Sequence, residues 1–109
     1  MLEIKGTTIS LTRGDSMRVH IDLKYRNGDP YVETSGDSIR FALKRRYKDE
    51  TVLIEKAIPT DTLMLSLDPE DTKPLSFGDY VYDIEMTHAD GFVDTFIDKA
   101  TFKITEEVE

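Results

Sequence analysis

The sequence predicts an all-β fold, and three observations carry that prediction. Apolar residues recur at every second position in short runs between positions 7 and 105, the period of a strand with one buried and one wet face. Gly, Asp, Asn or Pro bounds each run, as turns between strands require. Only the stretch 68–74 carries helix-start signals.

The first expected strand, 7–12, turns Ile9 and Leu11 inward. The run Met17-Arg18-Val19-His20-Ile21-Asp22-Leu23-Lys24-Tyr25 alternates without exception, so 17–25 reads as one half-buried strand with His20 on its outer side. Ile39, Phe41 and Leu43 repeat the phase against Arg40 and Lys44, as do Tyr80, Tyr82, Ile84 and Met86 against Asp83 and Glu85. Weaker runs at 52–58, 63–67, 92–97 and 100–105 bring the expectation to about eight strands. Asn27-Gly28-Asp29-Pro30 and Ala89-Asp90-Gly91 are turn sequences that predict hairpins between adjacent antiparallel strands. In Asp68-Pro69-Glu70-Asp71-Thr72-Lys73-Pro74, Asp68 suits a cap, Pro69 a first helical position and the acids a positive helix end. A single helical turn stopped at Pro74 follows. The first few residues and the tail Glu106-Glu107-Val108-Glu109 are expected to be loose.

The length, 109 residues, fits a single domain spanning 1–109, able to bury roughly two-thirds of its unfolded surface without disulfide or metal. No cysteine is present, which excludes disulfides, thiol catalysis and Cys-liganded zinc. Twenty-two acidic against fourteen basic residues give a net charge of −8, which opposes nucleic acid or anionic membrane as main partner. No apolar run approaches the roughly 20 residues of a membrane span, and no export signal is visible.

Thr12-Arg13-Gly14-Asp15-Ser16 and Thr34-Ser35-Gly36-Asp37-Ser38 match closely. Each leads into a strand, and Gly78-Asp79 before Tyr80 reads as the same turn chemistry. That chemistry also accounts for Arg13-Gly14-Asp15, a tripeptide otherwise known from cell adhesion. Lys44-Arg45-Arg46-Tyr47-Lys48 is the one basic cluster; it falls between two strands and reads as a solvated hairpin end rather than a phosphate contact.

Catalytic and metal chemistry finds little support. Asp83 and Glu85 lie about 6.6 Å apart along one strand face, but that face should be wet, whereas a general acid needs burial to raise its pKa. Asp94 and Asp98 form a second weak acid pair. Asp61, Asp68, Glu70, Asp71 and Asp79 supply oxygens without the spacing of a calcium loop. His20 and His88 each lack a second ligand at metal spacing. None of the six serines adjoins a base in sequence. The expectation is a non-enzymatic protein with no catalytic residue, no metal and no cofactor. Tyr25, Tyr80 and Tyr82 fall in core phase, leaving Tyr31 and Tyr47 at loop tips as the candidate binding surface.

The stretches Ile9-Ser10-Leu11-Thr12-Arg13-Gly14-Asp15-Ser16, Arg18-Val19-His20-Ile21 and Gly36-Asp37-Ser38-Ile39-Arg40-Phe41-Ala42-Leu43-Lys44 resemble the opening of small phage- and prophage-encoded β-sandwich proteins. They are similar to the N-terminal domain of phage baseplate upper proteins. Leu67-Asp68-Pro69-Glu70-Asp71-Thr72 followed by Tyr80-Val81-Tyr82 resembles the turn and tyrosine corner of the immunoglobulin fold, with Lys73 to Phe77 inserted and without its cysteines and tryptophan. The resemblance implies an immunoglobulin-like antiparallel sandwich and a structural role in a tail or baseplate. Its partners would be other phage structural proteins or further copies of itself, with no nucleic acid or membrane, in the virion or, before assembly, in the bacterial cytoplasm. A carbohydrate- or surface-binding module using Tyr31 and Tyr47 is the alternative.

Overall fold

The computed structural model describes residues 2–25 and 27–106. In chain order these form β1 (Leu2–Lys5), β2 (Thr8–Thr12), β3 (Met17–His20), β4 (Ser38–Lys44), β5 (Ile54–Ile58), β6 (Met64–Leu67), the helical turn α1 (Pro69–Thr72), β7 (Gly78–Thr87) and β8 (Val93–Thr105). A curled mixed sheet runs β1-β2-β8-β7-β4-β5, and β3 and β6 form a second, two-stranded sheet. Within the large sheet β2 pairs with β8 in parallel, while its other neighbours are antiparallel.

Both sheets contribute to one core. Ile39, Phe41 and Leu43 pair with Met86, Ile84 and Tyr82 along the β4–β7 ladder, and these six are buried together with Tyr80. Phe41, Tyr82 and Phe102 pack as a ring cluster with centroids 5.4–6.3 Å apart, within the range of favourable aromatic contacts. The opposite phase faces water, as alternation requires. There Arg40 bridges Glu55 on β5 at 3.0 Å and Glu85 on β7 at 2.9 Å.

The helical turn forms where expected. The Asp71 carboxylate accepts the Asp68 N–H at 2.7 Å and meets the Lys56 ammonium at 3.0 Å. Thr72 is fully buried and its Oγ1 accepts the Gly14 N–H at 2.8 Å, fixing the helical turn to the turn before β3. That turn and the one before β4 share one geometry. Asp15 donates to the Thr12 carbonyl, Asp37 donates to the Thr34 carbonyl, and Gly14 and Gly36 adopt φ of 84° and 91°. Gly78 is different: it lies inside β7.

Four expectations require correction. The first residues are not loose, because Leu2–Lys5 hairpins onto β2 with Lys5 opposite Thr8. The run 17–25 forms a ladder only as far as His20, opposite Met64, with one further bond from the Ile21 N–H to the Leu63 carbonyl. Beyond it Leu63 has positive φ and its chain turns back toward Pro59, so no partner strand continues. Asn27-Gly28-Asp29-Pro30 does make a tight turn, with Tyr25 donating to Asp29 and Tyr31 to Leu23. It leads only to an isolated bridge, Lys24 to Pro30. The runs 92–97 and 100–105 are one strand, β8, with register shifts against β7 around Ile84. At the break Lys99 takes φ 55° and its N–H donates to Asp83 Oδ1 at 3.2 Å, the local kink of a β-bulge. Of the expected tail, residues 107–109 lie outside the described residues.

Candidate functional site

The β7–β8 hairpin closes tightly: His88 donates to the Phe92 carbonyl, Gly91 donates to His88, and Asp90 accepts the Phe92 N–H. This places the His88 imidazole between two carboxylates. Its Nδ1 lies 3.1 Å from Asp37 Oδ1 and its Nε2 2.8 Å from Asp94 Oδ2. The other Asp37 oxygen accepts the Tyr31 hydroxyl at 3.0 Å. Tyr31, Asp37, His88 and Asp94 therefore form a continuous hydrogen-bonded chain across three segments of the molecule. The turn before β4 is held close as well, since a Cβ on Gly36 would sit 2.6 Å from that of Ala89.

With both ring nitrogens facing carboxylates, the imidazolium, which donates from both, is the favoured state. The hydrogen bond to Asp94 raises the His88 pKa above its ordinary value; partial burial opposes this, and Asp37 adds to it. Burial, and then the bond to Asp37, push the Tyr31 hydroxyl up to about 12. Both ring nitrogens and the phenol hydroxyl are thus engaged by carboxylates within the molecule. The arrangement is a clasp, joining the turn before β4, the β7–β8 hairpin and the start of β8.

Next to the clasp, a cleft of about 510 Å³ lies between Lys24 and Tyr25 on one side and Val93, Asp94, Thr95 and Phe96 on the other. Two of its walls are aromatic: Phe96 packs tilted against Tyr25 at 5.5 Å, and behind it meets Tyr31 edge-on at 6.1 Å. Phe92 and Val93 are exposed beside it.

The two tyrosines expected to form a binding surface do not. Tyr31 is only 9% exposed whereas Tyr47 is 47% exposed. They also belong to opposite ends of β4, because Tyr31 bonds the residue preceding that strand while Tyr47 follows it. Tyr31 is buried because the turn after Tyr25 returns it to the core, which a loop-tip reading of the sequence misses. Tyr47 carries the Lys99 ammonium over its ring at 4.3 Å.

The remaining candidates are engaged internally. Arg13 lies over the Phe77 ring and Arg45 over Tyr80, so two cations of the suspected recognition motifs serve as packing groups. Asp83 and Glu85 bind the Lys99 amide and Arg40. Asp94 and Asp98 are separated in role, the first in the clasp and the second exposed. His20 is exposed on β3. Among the described residues no group of three or more His, Cys, Asp or Glu is placed to hold a metal ion, and no helix is long and apolar enough to cross a membrane.

The residues that sequence reasoning missed are Asp37 as partner of His88, and Phe96. The first was disguised as a turn residue, and the bond spans 51 positions. No protein-family model, curated protein or solved structure matches the chain.

Proposed function

We propose that the chain is a non-enzymatic docking module with an immunoglobulin-like sandwich. We propose further, from the resemblance of its first half to the phage baseplate proteins, that it is a tail- or baseplate-associated structural component of a phage or prophage, present in the virion or, before assembly, in the bacterial cytoplasm.

Topology supports the sandwich. The order β8-β7-β4-β5 follows the G-F-C-C′ sheet of variable-type immunoglobulin domains, and the pair β3-β6 follows strands B and E. Near the start of β7 the Tyr80 hydroxyl donates to the Ser76 carbonyl at 2.7 Å, the contact of a tyrosine corner. Where such domains use a disulfide and a tryptophan, this core relies on Phe41, Tyr82 and Phe102.

One observation carries the docking reading: the half of β8 that begins at Val93 has β7 on one side and, among the described residues, no strand on the other. An open edge offers main-chain hydrogen bonds to a partner without special side-chain chemistry, and the exposed Phe92 and Val93 add apolar area beside it. The burial of Tyr31 removes the shared aromatic face that a carbohydrate module required.

Light scattering and pull-down of the chain co-expressed with candidate tail proteins test this. A stable complex is expected. A chain that stays monomeric, captures none of them and gains melting temperature with glycans would overturn it.

A further inference from the structure

The open half of β8 faces a second segment whose strand pattern outlasts its ladder. Side chains keep alternating after β3 ends: Ile21 and Leu23 are buried while Asp22 and Lys24 are exposed. The ladder to β6 nevertheless ends just past His20, with a last bond from the Ile21 N–H to the Leu63 carbonyl, after which Leu23 and Tyr25 bond the turn at 28–31. Residues 19–25 and 93–97 flank one seam. Toward Tyr25 it holds the cleft already described. Toward Val19 it continues as a hollow of about 270 Å³, with Ile9, Val19, Ile21, Tyr82 and Ile97 among its walls.

The cause of the opening lies in β2. That strand pairs with β8 from Ile9 opposite Phe102 onward, but immediately before it the chain turns at Gly6 and Thr7 and leaves as β1. The Tyr82 hydroxyl donates to the Thr7 carbonyl, which anchors this turn at the end of the hollow. The row that β2 fills along the second half of β8 is therefore empty along the first.

We propose that this row takes an extended, basic segment of a partner protein, added as a strand along residues 93–97 with an apolar side chain in the hollow and its cationic side chains outward. This rests on the docking reading above and names its partner chemistry. Side chains of a strand alternate, so one face of the segment meets Ile9, Ile21 and Ile97 while the other meets solvent and the field of the protein. That field is negative because the protein as a whole carries a net charge of −8; at the seam itself Asp22 lies 3.9 Å from Lys24 and Asp94 is bonded to His88, so the attraction comes from the body of the protein. A second copy fits poorly. It brings the same net charge, and an antiparallel pair centred on Phe96 sets Asp94 opposite Asp98, a destabilising like-charge pair.

The test is an amide NMR titration of the intact chain with a capped heptapeptide alternating lysine and valine, beside its glutamate–valine counterpart. The lysine peptide should shift the amides of 93–97 and slow their hydrogen exchange by about tenfold, and the glutamate peptide should not. Thr95 is exposed on the open half. Thr95→Lys should weaken binding about fivefold, the effect of one added repulsive charge, and Thr95→Glu should preserve or tighten it.

Absence of binding, shifts located elsewhere, equal response to both peptides, or indifference to Thr95→Lys would overturn the proposal, as would self-association through this edge. If Thr95→Lys assembles with tail proteins with the affinity of the wild-type chain, docking stands and the seam is wrong. If the wild-type chain assembles with nothing, the docking reading itself fails.

Discussion

The two halves of β8 belong to one strand, yet their surroundings differ. From Phe102 to Ile104 the strand lies between β7 and β2, and Phe102 and Ile104, like Ala100 just before them, are buried. From Val93 to Ile97 it has β7 alone, Val93 is half exposed, and Phe96 and Ile97 are only partly buried. The bulge at Lys99 separates them. A strand can thus serve as core at one end and as an available edge at the other, because pairing on its second side depends on where a distant strand begins.

The largest expected effect compares two phenylalanines. Phe102→Ala removes a fully buried ring from the Phe41–Tyr82 cluster and should cost about 3–5 kcal/mol. Phe96→Ala, in the open half, should cost about 1 kcal/mol, since less apolar surface returns to water. Denaturant unfolding of both variants checks this, and equal losses would break the distinction.

Next comes the bulge. Lys99 already holds φ 55°, and a β-branched side chain tolerates that region badly, so Lys99→Val should destabilise by about 1–2 kcal/mol. Lys99→Gly should be neutral or stabilising by about 0.5 kcal/mol, with relief of backbone strain set against the lost contact over Tyr47. Thermal melts of the pair test whether the bulge is strained.

The smallest effect is read as a pH dependence. His88 fastens the open half through Asp94, and its folded pKa is raised by that bond and by Asp37. A raised imidazole pKa contributes stability that is fully present below the ordinary histidine value of about 6.5. It is lost as pH rises through the folded value. Stability measured from pH 5.5 to 9 should fall across that window by a component that His88→Asn abolishes. An imidazole titrating at or below its ordinary value in NMR would show that the clasp does not hold the cation.

Several elements could be read from neighbouring residues alone. Alternation placed β4 and β7 and put Phe41, Tyr82 and Ile84 in the core, because strand period is a property of the backbone. The Gly-Asp turns before β3 and β4 followed from the positive φ that glycine tolerates, and the helical turn followed from Asp68 and Pro69. For the site, the sequence offered His88 without a second ligand and Asp94 only as half of a weak acid pair with Asp98. It mistook Tyr31 for a loop tip, and it read Asp37 only as turn chemistry.

By itself, then, the sequence determined the β class, the turns and the identity of most buried side chains, since these depend on interactions within a few positions. Tertiary structure alone decided that two short runs join across a bulge as β8, that β3 ends at His20 with only single bonds beyond it, and that Asp37 reaches His88. Each of those outcomes depends on the register between segments far apart in the chain, and local patterning carries no information about which edge finds a neighbour.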